Sequence, residues 1–367
     1  MTRKIILSFF AFAFLLFTFS GCRFIKSDIS KMNVILAIGI DGKANNYSVT
    51  TRVFEASSTE EAKDAKTAIY SSSGKTVSQA VNGLTSAIGN NPLLSQSSVI
   101  IIGKETAQNG IKEILEYFIS DDYIGPSAAV VVSSEKAEDI IFADELENFL
   151  PTDRFTNMIR ASWENGTGVN TKFAEAIVKC ENRFSDFALP VIEFDSSKHI
   201  VTKSAAVFRN DTLTTIIDED IVKGLLFLSD NIKGGYLSVE DTGGEEASLE
   251  IIKSSSIIQT DMDDGKIVLN IKITTQLSVT EFRNGKFSDD TVDKLNKDLS
   301  KKIKVLAENS YNKVIKENTS DPINIGRRLY IDRKISSSVT DENFRKMLSQ
   351  SQVNIEVNAK ISRSGLF

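Results

Sequence analysis

The chain has 367 residues, with 43 lysines and arginines against 49 aspartates and glutamates and a formal net charge of −6. That acidic balance excludes a phosphate-backbone binder, which needs clustered Lys and Arg, and 41% hydrophobic with 25% charged residues describes a folded body. One histidine and two cysteines leave no material for a zinc site with several His or Cys ligands.

The elements begin with a leader. Arg3 and Lys4 precede an apolar run, Ile5 to Phe19, interrupted only by a serine and a threonine. A helix of that length spans about 22 Å, short of the ~30 Å hydrocarbon core, so a cleaved signal is predicted over residues 1–21 in preference to a permanent span. Ser20 and Gly21 supply the small side chains a signal peptidase needs, and FSGC resembles the bacterial lipoprotein signal. That resemblance implies a diacylglyceryl group on Cys22, the new N-terminus. The alternatives are an ordinary secreted protein with an incidental cysteine and an uncleaved helix. With Cys22 acylated, Cys180 has no partner, so the core must hold without a disulfide. Cys180, on the predicted helix FAEAIVKC, reads as a small buried apolar residue.

Turn pairs occur at Asp41-Gly42, Asp264-Gly265 and Asn284-Gly285, beside strand-like runs. In GKTVSQAVNGLTSAIG the residues Val77, Ala80, Val81, Leu84, Ala87 and Ile88 share one helical face, and Thr76 with Gln79 has capping-box spacing. KETAQNGIKEILEYFIS repeats the helical pattern through Ile111, Ile114, Leu115, Phe118 and Ile119. Between them SSVIIIG, and later AAVVV at 128–132, are short continuous apolar runs that predict strands buried on both faces. Helices are expected around 152–180 and strands near 187–209. A long helix over 289–317 places Val292, Leu295, Leu299, Ile303 and Leu306 inward. Alternation at 267–279, with only Val268 spoiling its polar face, and at 353–361 predicts two half-buried strands, in one antiparallel sheet under that helix, with Ile271 and Ile355 buried. The fold class is therefore α+β: two to three mixed lobes, each a largely antiparallel sheet with packed helices. The expected domains are 22–195 and 196–367, with a possible lobe boundary near 243 in the polar DTGGEE turn.

Several stretches look chemical. YSSSGKT ends like a phosphate-binding loop, but the glycine needed five residues before Gly74 is Ile69. TDMDDGKIV, framed as a calcium loop from Asp261, puts Gly265 at a ligand position, Lys266 at the glycine position and Lys272 where the bidentate glutamate belongs. It reads as a hairpin turn. The lone histidine, His199, lies in SSKHIVTK near a strand start, and no second candidate completes a Ser-His-Asp set. Acidic pairs such as Glu245-Glu246 are the ordinary surface of a chain this rich in carboxylates. No catalytic, cofactor-binding or metal-binding residue is assigned.

The order of motifs is more specific than any one of them. SDISKMNVILAIGIDG after Cys22, GKTVSQAVNGL, SSVIIIGKETAQNGIKEILEYFISDD, AAVFRNDTLTTIIDEDIVKGLLFL and the final VNIEVNAKISRSGLF together resemble the Ger(x)C family of spore germination lipoproteins. DPINIGRR at 321–328 keeps the family's aspartate and glycine. The resemblance spans nearly the whole chain. It implies a non-enzymatic subunit of a nutrient germinant receptor, lipid-anchored on the outer face of the spore inner membrane. The implied partners are the other two receptor subunits, both membrane proteins, with no nucleic acid and no cofactor. The rival reading is a solute-binding lipoprotein delivering a small ligand to a transporter. Such proteins usually pair two similar lobes of parallel βαβ units around an aromatic-lined cleft, whereas this chain has one tryptophan and several hairpin signals.

Overall fold

The computed structural model describes residues 33–55, 66–89, 92–120, 124–143, 151–240, 246–282 and 288–362. The chain enters through an antiparallel meander, β1 (Asn33–Lys43), β2 (Asn46–Glu55) and β3 (Lys66–Gly74). Asp41-Gly42 does not form the first turn: Lys43 pairs with Asn46, so the loop is Ala44-Asn45, with Asn45 at φ 72°. Asp41 stays in the strand and turns its carboxylate to another element, described below.

Helix α1 (Val77–Ile88) follows, its N-cap Thr76 accepting from the Gln79 N–H while the Gln79 side chain accepts from the Lys75 N–H. Val77, Ala80, Val81 and Leu84 are buried, whereas Ala87 is exposed. A two-residue strand, β4 (Pro92–Leu93), leads to the buried β5 (Val99–Ile102). The helix predicted next is two helices, α2 (Lys104–Gln108) and α3 (Lys112–Ser120). It breaks at Asn109-Gly110, where Gly110 takes φ 103° and the Ile111 N–H bonds the Asp211 carbonyl instead of a helical one. Ile111, Ile114, Leu115 and Phe118 are buried and Ile119 is half exposed. Then come β6 (Ala129–Ser133), α4 (Ala137–Ile141), α5 (Pro151–Glu164), α6 (Phe173–Glu181), β7 (Phe187–Phe194), β8 (Ile200–Arg209), β9 (Thr212–Ile217) and α7 (Glu219–Leu228).

Among the described residues these strands make one nine-stranded sheet in the order β3-β2-β1-β5-β6-β7-β8-β9, with β4 beside β1. Its flanks are antiparallel, but β1, β5, β6 and β7 run parallel. Each of those parallel connections carries helices, and their apolar stripes cover both faces. Ile100, Ile102, Val130 and Val132 pack with Leu84, Leu115 and Phe118 on one side. Ile101 and Val131 pack with Ile140, Phe155 and Ile159 on the other. Continuous apolar strands follow from that double cover.

The second sheet contains β10 (Tyr236–Glu240), β11 (Glu246–Asp263), β12 (Lys266–Phe282) and β13 (Gln352–Ile361). Asp264 and Gly265 form the turn of its long hairpin, both with positive φ, as a two-residue type I′ loop requires. Ile271 and Ile355 face each other across neighbouring strands and are 1% and 3% exposed. Their strands lie in one sheet as expected, yet β12 and β13 pair in parallel. The connection between them explains the difference: α8 (Asp289–Ser310), a π-helical turn (Tyr311–Glu317), α9 (Ile325–Ile331) and α10 (Asp341–Ser349) carry the chain back to the starting end of β12. Leu295, Leu299, Ile303 and Leu306 of α8 are buried against this sheet's core, and Val292 is half-buried. The N–H groups of Ala359 and Ile361 donate to Ser300 Oγ (3.0 Å) and Asn296 Oδ1 (2.8 Å) of α8.

Helix α7 joins the two sheets. Seven consecutive residues, Val222 to Leu228, are buried, Lys223 among them with its ammonium donating to the Tyr236 carbonyl at 3.4 Å. It packs in one core with β8, β11, β12 and α8. At Gly224 a side chain would meet the Leu306 carbonyl oxygen at 2.1 Å, so glycine sets the α7–α8 approach. The expected boundary at 195 falls in the Asp195–His199 turn between β7 and β8.

Candidate functional site

The most concentrated polar chemistry in the described body is buried, and it lies where residues of the two sequence halves meet. Asp186, just before β7, is fully buried, and both its oxygens are committed to the guanidinium of Arg345 on α10. Arg345 also donates to the Thr319 carbonyl (3.0 Å) and, through Nε, to Asp341 (3.0 Å). Asp186 accepts the N–H groups of Asn210 (2.9 Å) and Asp321 (2.6 Å). Asp321, the aspartate of DPINIGRR, accepts the N–H groups of Ile325 (2.8 Å) and Gly326 (2.7 Å), the first residues of α9. One carboxylate thus caps α9, and the other holds Asp321 in place to do so.

Electrostatics follow the burial. Removal from water pushes the Asp321 carboxyl up to about 7; the N–H bonds from Gly326 and Ile325 and the charge of Arg345 oppose this, while the Asp186 charge adds to it. Arg345 is pulled two ways: burial disfavours its charge, but Asp186 and Asp341 outweigh that and hold its pKa above the ordinary value. A carboxylate–guanidinium pair this deep is stable only because every remaining lone pair is occupied. Nothing here offers a nucleophile or an open position; the arrangement clamps one half of the sequence to the other.

A smaller version closes the first half. The Asp41 oxygens accept the Ala137 and Glu138 N–H groups at 2.9 Å, capping α4 across the sheet. Burial, partly offset by those bonds, raises its pKa. The aspartate of the expected Asp41-Gly42 turn is therefore a helix cap, not a turn residue.

Cys22, the leader, Asn284-Gly285 and residues 241–245 lie outside the described residues. Cys180 is half-buried on α6, and burial first, then nearby Asp211 and Glu181, raises its thiol to about 12. A thiol held protonated is a poor nucleophile. His199 sits at the surface in the β7–β8 turn, with Nδ1 3.8 Å from Asp195 Oδ2. Thr76 of the GKT stretch is a helix cap, and Asp264 and Gly265 of TDMDDGKIV form a hairpin turn. No group of three or more His, Cys, Asp or Glu side chains among the described residues could hold a metal ion. No described helix is long and apolar enough to cross a membrane.

A groove of about 560 Å³ separates Ile258 and Thr260 of β11 from Arg328 and Ile331 of α9 and Lys334 in the loop after it. Lys334 spans it, donating to the Thr260 carbonyl and pairing with Asp261 at 3.3 Å. Sequence reasoning reached Asp321 and Gly326 through DPINIGRR but missed Asp186, Arg345 and the groove.

Two sheets, an interposed helix and a buried clamp define an α+β protein with the fold of the solved "Crystal Structure of the GerBC protein". The TM-score is 0.61 over 88% of this chain and 96% of that one, at 19% identity. Residues 26–194 match the family described as spore germination protein N-terminal domain, and residues 203–365 match spore germination B3/GerAC like, C-terminal. The chain belongs to this family of spore germination proteins. It is 22% identical to spore germination protein B3 of Bacillus subtilis (strain 168) over 96% of each chain. It is 23% identical to spore germination protein GerQC of Bacillus cereus over 83% of this chain and 84% of that one.

Proposed function

We propose that this chain is the lipid-anchored, non-enzymatic subunit of a spore germinant receptor, needed for nutrient-triggered germination through contacts with the two membrane subunits. The observation that carries the reading is that both family matches run in order along the chain and cover nearly all of it after the leader. The role of the body is to present surfaces. The Asp186–Arg345–Asp321 clamp fixes the position of α9 and α10 relative to the large sheet. Residues 22–195 and 196–367 serve as its two domains, tied by the β7–β8 hairpin and that clamp. Cys22 carries a diacylglyceryl group that retains the body on the outer face of the spore inner membrane, since two acyl chains suffice for stable attachment.

Deletion of the gene and its paralogues abolishes germination in response to the cognate nutrient while leaving receptor-independent germination intact. An undiminished nutrient response overturns the proposal. Mass spectrometry of the mature protein finds the lipid on Cys22; an unmodified thiol there overturns the anchor.

A further inference from the structure

The face formed by α9 and the loop after it differs in charge from the rest of this acidic chain. Arg327, Arg328 and Arg333 are exposed, and among the described residues none of their guanidinium groups has a hydrogen bond or ion pair. Asp332 is the one acid of that stretch, and Lys334 is already matched by Asp261. Between the arginines stand Tyr330 and Ile331, 49% and 65% exposed. The helix sets this arrangement. Ile325, Gly326 and Leu329 are buried, which turns positions 327, 328, 330 and 331 outward together. The Tyr330 ring lies 6.5 Å from that of Phe184, which steadies it from behind. The buried clamp holds the first turn of the helix, so the exposed face is presented in one fixed orientation.

Arginine and tyrosine around an aliphatic side chain is the composition of an interface centre, not of a solvated face. A free guanidinium is the group that a carboxylate pairs with in two-pronged geometry. The adjoining groove is concave, with Ile258 and Ile331 on opposite walls. It admits a protruding side chain, which a protein segment offers and the plane of a bilayer does not. We infer that the α9 face docks an acidic segment of a partner protein, placing carboxylates on Arg327, Arg328 and Arg333 and an apolar side chain in the groove beside Ile331. This deepens the receptor reading and rests on it, the partner being one of the membrane subunits.

The test uses the full chain in spores, with the photo-cross-linking residue benzoylphenylalanine at position 331. Illumination yields an adduct whose partner peptide, sequenced by mass spectrometry, comes from an integral membrane protein and is net acidic around the attachment point. The triple variant Arg327→Glu, Arg328→Glu and Arg333→Glu reduces that adduct by about tenfold or more, because facing like charges are strongly unfavourable. These side chains are exposed, so the variant retains its melting temperature and its amount in the membrane fraction. Adducts with phospholipid alone, with a second copy of this chain, or with a peptide lacking acidic residues overturn the inference. So does an adduct undiminished by charge reversal, or no adduct at 331 when a second exposed position cross-links. The two readings fail differently. If the deletion strain germinates normally, the receptor role falls. If it does not, and the charge-reversed variant germinates like the parent with its adduct intact, only the docking face falls.

Discussion

The two sheets bury their strands by different means. In the nine-stranded sheet, consecutive residues of β5 serve different cores: Ile100 packs with Phe118 on one face, Ile101 with Phe155 on the other. In the four-stranded sheet only alternate residues of β12 are buried, and the other face is open to solvent, with Lys272 paired to Glu356 at 3.6 Å. The difference comes from connections. Parallel crossovers bring helices to both faces of the first sheet, whereas the helices of the second sheet lie on one side. Tolerance to substitution therefore has period one in the first sheet and period two in the second.

The joint between the regions carries the largest expected effect. Arg345→Ala strands Asp186 as a buried charge and costs about 3–5 kcal/mol by denaturant unfolding; a loss below about 1 kcal/mol would mean that the two regions do not depend on the clamp. Next come the core positions. Ile100→Ala, Ile101→Ala and Ile271→Ala each cost about 2–5 kcal/mol. Equal losses at the adjacent pair 100 and 101 are the direct sign of double cover.

Asp321 adds a pH dependence at the joint between the two sheets. Its folded-state pKa of about 7 stands above the ordinary 3.8, so between those values the folded chain holds a proton that the unfolded chain lacks. The Asp321 contribution is fully present below about pH 4, falls as pH rises, and levels off above about 7. Asp321→Asn removes this slope, and costs about 1–3 kcal/mol because an amide nitrogen meets one of the two N–H donors. Stability curves of the two proteins that stay parallel from pH 4 to 7 would contradict this. The smallest effect belongs to the open face. Lys272→Ala changes stability by no more than about 1 kcal/mol, since both partners of its ion pair are more than half exposed.

What could be read without coordinates was whatever is written locally. The alternation at 267–279, the apolar run at 99–102, the Thr76 cap and the Asp264-Gly265 turn each depend on a few neighbouring residues, and each stands where expected. The direction of β13 depends on the path of the four helical segments before it, which periodicity does not encode. Gly110 was legible as a breaker only in hindsight, because isolated glycines are tolerated inside helical patterns. Asp186 and Arg345 were invisible for another reason. Each looks like a surface charge, and burial becomes affordable only through a partner 159 positions away. Asp321 and Gly326 were reached by family resemblance, without the structural reason for them.

The bonds from Ala359 to Ser300 and from Ile361 to Asn296 concern neighbours in a crowd as much as the fold itself. A terminal strand with unoccupied N–H groups is a template on which another molecule can add a strand, and repetition of that event makes a fibre. Here α8, laid along the end of β13, occupies the donors of Ala359 and Ile361. At the opposite border β10 covers only the first residues of β11, and further along it the Ser256 N–H is held by Asp230 and the Thr260 carbonyl by Lys334. These contacts reduce the number of free backbone groups through which the small sheets of neighbouring copies could join.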